Sequence, residues 1–139
     1  MGPHIRKISS FQKRCARLIT GQFNPDVSSH TLIHSLNWLT VPERIKYFLY
    51  VFMYKSLNEM SPFYMQDCLT LMSDVHTYST RNELVYQLPM VRTNYMKRSF
   101  KFQGPFMWNA LPMAIKCSCS LNTFKSNVKE MLLATHSNM

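Results

Sequence analysis

The sequence predicts a mainly α fold of the α+β type: a small helical domain around a central helix at about 41–58, a short β-hairpin at about 84–102 and a C-terminal helix at about 121–133. Three observations predict it. Thr40-Val41-Pro42-Glu43 has the form of a capping box, and Ile45, Phe48, Leu49, Phe52, Met53 and Leu57 follow it at the spacing of one helical face. Residues 5–20 repeat apolar and basic side chains with the same period, and Gly21 follows as a stop. Leu84–Leu88 and Arg98–Phe102 are short β-prone runs, the second alternating polar and aromatic. At 139 residues and 46% hydrophobic, the chain suits a single globular domain.

The elements are justified in order. Ile5, Ile8, Phe11, Cys15, Leu18 and Ile19 form one face of the first helix; Arg6, Lys13 and Arg17 form another, with Lys7 and Arg14 beside them. Pro25 prevents a restart after Gly21. Ser28 or Ser29 caps a short second helix through Leu36, and Trp38 is expected to be buried between it and the central helix. In the central helix, the Thr40 hydroxyl is expected to accept from the amide of the third helical residue while Glu43 reaches back. Ser61-Pro62 opens a brief helix to about Gln66, with Phe63, Tyr64 and Met65 covering one end of the core. Periodicity is lost from Ser73 to Glu83, which is read as a loop and hinge between a helical half, 1–72, and a basic β/α half, 84–139. In that second half Leu84–Leu88 and Arg98–Phe102 would pair across a loop from Pro89 to Lys97, with Phe100 and Phe102 inward and Lys101 outward. Gly104–Leu111 reads as a turn or short helix, and Leu111-Pro112 starts another to about Lys116. Ser120 caps the last helix, with Leu121, Phe124, Val128 and Leu132 on one face, and residues 136–139 are expected to fray.

Charge is the strongest functional signal. The net charge is +9, and it is concentrated at the two ends. Residues 1–25 carry Arg6, Lys7, Lys13, Arg14 and Arg17 with no acid; residues 84–129 carry Arg92, Lys97, Arg98, Lys101, Lys116, Lys125 and Lys129 with no acid. Such a footprint favours a polyanion as partner, RNA or DNA first. The candidate contacts are Lys13, Arg14, Arg17, Arg92, Lys97, Arg98 and Lys101 to phosphate, with Tyr95 stacking on a base. A membrane surface would require the apolar face of the first helix to be exposed, and no membrane partner is expected; no run approaches a spanning length.

Catalytic signatures are missing from the sequence. Three glycines cannot build a phosphate loop, the seven acids are dispersed, and there is no G-x-S-x-G, H-E-x-x-H or C-x-x-C. Neither enzymatic activity nor a cofactor is expected. His30 and His34 have a metal-compatible spacing but no acidic or cysteine ligand nearby, and Cys117 and Cys119 are too close-set for a zinc pair, so no metal is expected. No signal-peptide pattern opens the chain, which leads to the expectation of free thiols in a reducing, cytoplasmic or nuclear compartment.

A series of blocks carries a family resemblance. Phe11-Gln12-Lys13-Arg14-Cys15-Ala16-Arg17-Leu18-Ile19-Thr20-Gly21, Leu36-Asn37-Trp38-Leu39-Thr40-Val41-Pro42-Glu43-Arg44 and Tyr54-Lys55-Ser56-Leu57-Asn58 with Ser61-Pro62 and Tyr64 come first. Tyr78-Ser79-Thr80-Arg81, then Arg92-Thr93-Asn94-Tyr95, Lys97-Arg98-Ser99-Phe100, Gly104 and Trp108-Asn109-Ala110-Leu111-Pro112, and finally Ser120-Leu121-Asn122-Thr123-Phe124-Lys125 follow in the same order. Together they resemble the carboxy-terminal tail of non-LTR retrotransposon reverse transcriptases of the jockey-like type. Pro42 and Met96 depart from that pattern, where Glu and Gly are usual. The resemblance implies a piece of a larger polyprotein lying beyond the polymerase palm and thumb. It implies a non-catalytic, nucleic-acid-binding accessory region, a truncated copy, whose other partners would be domains of that polyprotein. The alternative is a structural or protein-interaction remnant with no activity of its own.

Overall fold

The computed structural model describes residues 2–75 and 84–135; the expected loop at 73–83, the Tyr78–Arg81 block and the fraying tail at 136–139 therefore lie partly or wholly outside the described residues. The described residues are mainly helical and form nine helices. They are α1 (Pro3–Thr20), α2 (Ser29–Ser35), α3 (Val41–Leu57), α4 (Phe63–Gln66), α5 (Met72–Val75), α6 (Asn94–Lys97), α7 (Phe100–Asn109), α8 (Met113–Lys116) and α9 (Leu121–Ala134). The chain divides into two compact units, Met1–Tyr47 with Lys129–Met139, and Phe48–Val128.

The first unit is built on stops and caps. Pro3 stands in the first turn of α1, where it lacks no needed donor, and Gly21 ends the helix in the left-handed region at φ 66°. The Ser28 hydroxyl accepts from the His30 amide at the start of α2. At its end Asn37 is left-handed (φ 55°), its N–H donates to the His34 carbonyl, and the Trp38 N–H donates to the Ile33 carbonyl. This is the Schellman arrangement, which satisfies two otherwise orphaned carbonyls. Ala16, Leu32 and Ile33 form the buried cluster, with Val27, Leu36 and Trp38 packed partly buried against it. Trp38 is thus half-buried on this cluster and not fully enclosed as expected, because the turn at Asn37 lays it along the end of α2. At the capping box the glutamate reaches back to Thr40 as expected. The Glu43 carboxylate accepts from the Thr40 N–H at 2.7 Å and from the Thr40 hydroxyl at 2.8 Å, so the hydroxyl is a donor to Glu43.

The expected apolar face of α3 is only partly buried. Ile45 and Phe48 are exposed, while Val51, Met53, Tyr54 and Ser56 are buried. The 3.6-residue period holds, but the helix has apolar residues over most of its circumference, so spacing alone does not choose the inward face. The Ser56 hydroxyl returns to the Phe52 carbonyl. Phe63 and Tyr64 are exposed instead of capping the core, because the four residues of α4 turn Met65 and Gln66 inward. Pro62, not Ser61, precedes α4, and the Ser61 hydroxyl donates to Ser56.

The expected β-hairpin does not form. Arg98–Phe102 enters α7 after Ser99, and the loop before it contains α6, capped by the Thr93 hydroxyl accepting from the Met96 N–H. Aromatics at 100, 102, 106 and 108 satisfy a period of two locally and a period of four over a longer window. The longer pattern wins: Phe102 and Phe106 stack, four residues apart, with ring centroids 5.8 Å apart. Gly104 and Pro105 inside the helix masked it. Leu84–Leu88 does adopt extended backbone at its centre, but Tyr86 forms an isolated antiparallel bridge with Leu71. The Met72 N–H donates to the Val85 carbonyl and the Gln87 N–H to the Thr70 carbonyl, both at 2.8 Å.

Side chains of α7 complete the pairing of this short segment. Asn109 Oδ1 accepts from the Tyr86 N–H at 2.9 Å, and Asn109 Nδ2 donates to the Tyr86 carbonyl at 2.8 Å. Trp108 Nε1 donates to the Leu84 carbonyl at 3.0 Å. Trp108 and Phe124 are fully buried with centroids 5.9 Å apart, Tyr54 stacks on Phe124 at 4.3 Å, and the Tyr54 hydroxyl donates to the Ser118 carbonyl. Helices α8 and α9 begin as expected, α9 with the Ser120 hydroxyl accepting from the Thr123 N–H.

Two outcomes follow from this packing. A Cβ at Gly104 would stand 2.7 Å from Met53 Sδ and 3.1 Å from the Phe100 ring, and Met53 is fully buried. Gly104→Ala is expected to destabilise the fold by about 1–2 kcal/mol in urea titration, overpacking exceeding the gain in helix propensity. Burial and the neighbouring Asp74 push the Tyr86 phenol up to about 12. The unfolded chain ionises first, so this contribution to stability is complete below pH 10 and is lost as pH rises from 10 towards about 12. Tyr86→Phe should show a shallower fall in melting temperature across that window.

Candidate nucleic-acid interface

The expected contact residues fall in both units, so each group is described within its own. In the first unit, α1 holds Lys13, Arg14 and Arg17. Lys13 and Arg14 are exposed. Arg17 is not available in the same way. Its Nη1 donates to the Asn24 carbonyl at 2.9 Å and the Gln22 carbonyl at 3.4 Å; its Nη2 donates to the Val27 carbonyl at 3.0 Å and to Ser29 Oγ at 3.3 Å. The guanidinium fork thus organises the 22–29 connection between α1 and α2, a use of Arg that the sequence pattern assigned to phosphate.

In the second unit the remaining candidates form one local group. Arg92 precedes α6, Tyr95 and Lys97 lie on it, Arg98 ends it and Lys101 lies in the first turn of α7. All five are exposed, Tyr95 at 86%. The helix–helix junction keeps them together: the Ser99 hydroxyl donates to the Met96 carbonyl at 2.7 Å, and Gln103 Nε2 donates to the Lys97 carbonyl at 2.7 Å. With no acid between residues 84 and 129, no carboxylate within this stretch neutralises the group. An exposed ring with four exposed cations within ten residues of sequence is suited to base stacking with phosphate contacts. The stretch also contains a cation of a different kind. Lys116 is buried, its Nζ donates to the Asn109 carbonyl at 3.3 Å, and loss of hydration lowers its pKa. It supports α7 and is not a surface contact.

Sequence reasoning missed two features of α1. First, its apolar ridge is open: Phe11 and Leu18 are each 68% exposed, and Ile8 and Ile19 are also exposed, whereas Cys15 is half-buried. The condition set for surface binding by this helix is therefore met at Ile8 and Leu18. Second, the polar face of α1 lines a cavity of about 330 Å³ with parts of α2 and the start of α3. Arg6, Ser9 and Lys13 share that face at spacings of three and four, a signal present in the sequence, but the opposing wall from Ile33, Thr40 and Pro42 comes only from folding.

Among the described residues, no group of three His, Cys, Asp or Glu is placed to hold a metal ion, and no helix is long and apolar enough to cross a membrane. His30 and His34 stack at 5.4 Å, and the four cysteines are free thiols. No family model, curated protein or solved structure matches the chain.

Replacing Arg17 tests its structural assignment. Arg17→Lys removes the fork that reaches four acceptors and is expected to cost about 1–3 kcal/mol in thermal or urea unfolding, while leaving any nucleic-acid affinity of the folded protein unchanged.

Proposed function

We propose that this chain is a non-catalytic nucleic-acid-binding accessory region of a retroelement reverse transcriptase, from its carboxy-terminal tail. The observation that carries this reading is the exposed group Arg92, Tyr95, Lys97, Arg98 and Lys101, within ten residues of an acid-free stretch. The ordered family-like blocks add support, because Arg92, Tyr95, Lys97 and Arg98 lie inside two of them. The contacts are to the sugar-phosphate backbone, with Tyr95 stacking, so the expected ligand is single-stranded RNA or DNA without strong sequence preference. Lys13 and Arg14 of the first unit add to the long-range attraction.

Titration of single-stranded RNA across salt concentrations tests the proposal. Affinity should fall steeply with salt, and Arg98→Ala with Lys101→Ala should flatten the logarithmic slope by about 0.7 per removed contact. Tyr95→Ala should weaken binding about tenfold at fixed salt, within the range found for loss of one stacked base. Absence of binding at low salt would overturn the proposal.

One observation favours a second reading, a protein-interaction piece of the polyprotein: the open ridge of Ile8, Phe11, Leu18 and Ile19. On that reading RNA titrations stay flat, and Phe11→Asp with Leu18→Asp abolishes association with the upstream polymerase region.

A further inference from the structure

The cavity in the first unit has a composition that the proposed nucleic-acid surface does not use. Its volume is about 330 Å³, and no carboxylate lines it. Arg6 and Lys13 stand on α1 seven residues apart, on one helical face, with their Cα atoms about 10 Å apart along the axis. Both side chains are exposed, so their aliphatic stems can form the wall while their charged ends stay at the rim. Ile33 and Pro42 supply the opposite, apolar wall.

Two polar groups in the wall give the cavity further chemistry. Ser9 Oγ is withdrawn from solvent and has no hydrogen-bond partner. An unpartnered buried hydroxyl is a standing cost, and rotation about its Cα–Cβ bond can present it to a ligand oxygen. Gln12 is held by its Nε2, which donates to the Leu39 carbonyl at 2.8 Å. That bond fixes the amide against the start of α3 and sets the spacing of the two walls. The volume exceeds what a lone phosphate fills and is in the range of sites for small organic ligands.

We propose that this cavity binds a phosphate ester of about nucleotide size, with Arg6 and Lys13 as phosphate ligands and Ile33 and Pro42 as the apolar wall for the organic group. The same chemistry is offered by a free mononucleotide and by the phosphorylated end of a strand. The cavity lies in the first unit, so the assignment does not depend on the Tyr95 group of the second.

The test uses the full chain, adenosine monophosphate and inorganic phosphate as probes, and calorimetric titration at low salt. Saturable binding of the nucleotide is expected, with inorganic phosphate weaker. Arg6→Ala with Lys13→Ala should raise the dissociation constant about tenfold or more, as loss of charge-assisted contacts requires. Unchanged circular-dichroism melting would show that the double variant is folded. Arg98→Ala with Lys101→Ala should leave nucleotide binding unchanged. Competition by a 5′-phosphorylated oligonucleotide assigns the site to a strand end; failure to compete assigns it to a free nucleotide. Lack of saturable nucleotide binding, or binding indifferent to the Arg6 and Lys13 substitutions in a folded variant, overturns the proposal. Nucleotide binding with flat RNA titrations would leave the cavity standing and remove the function proposed above; the reverse pattern would do the opposite.

Discussion

The second unit depends on how α7 satisfies a strand that has almost no sheet. Among the described residues, 84–86 make an isolated bridge to Leu71, and an extended segment with one neighbour would leave buried backbone groups unmatched. Asn109 acts as the missing strand: one amide group accepts from the N–H and donates to the C=O of Tyr86, as a backbone residue opposite would. Trp108 secures Leu84 in the same way and fills the centre of the unit against Phe124. Two consecutive residues therefore supply both the polar satisfaction and the largest buried ring. The close approach at Gly104 follows, since α7 must lie near Met53 of α3 for Trp108 to be enclosed.

The cation distribution becomes more specific when burial is added to charge. Counted along the sequence, every Arg and Lys at the two ends has equal standing. In the structure Arg17 is committed to carbonyls of its own connection, Lys116 is buried beneath Asn109, Lys125 and Lys129 are half-buried, and the rest face solvent. The clustered surface charge is found at the junction of α6 and α7, where Thr93 and Ser99 begin two short helices in succession. The junction is therefore both a folding device and the place where the cations and Tyr95 are displayed. On α1 the division is different: one face carries open apolar side chains and another lines a cavity edged by Arg6 and Lys13.

Local chemistry was legible in the sequence; long-range choices were not. The Gly21 stop, the Ser28 and Ser120 caps and the Pro112 start act through neighbours a few residues away, so each could be read from the order of residues. The inward face of α3 could not, because Ile45 and Phe48 are as apolar as Val51 and Met53 and only packing chooses between them. The hairpin failed for a related reason. Five residues of alternation at 98–102 satisfy a strand template, while the competing helical pattern extends past a glycine and a proline that normally argue against a helix. The cations and Tyr95 at 92–101 are legible as a group because they lie within ten residues of one another. The cavity was not, since half of it is contributed by residues 17 to 36 positions further along the chain.

The division of the chain into units also sets an order of events during synthesis. The second unit is a continuous run, Phe48–Val128, whereas the first needs both Met1–Tyr47 and the stretch beginning at Lys129, where Leu132 is buried. A ribosome delivers the whole of the continuous unit before it delivers Leu132. Met1–Tyr47 must therefore wait for the stretch beginning at Lys129 until the whole of the intervening unit has been made. A chaperone that shields residues 1–47 would act in that interval, while the residues that complete their unit are still to be made.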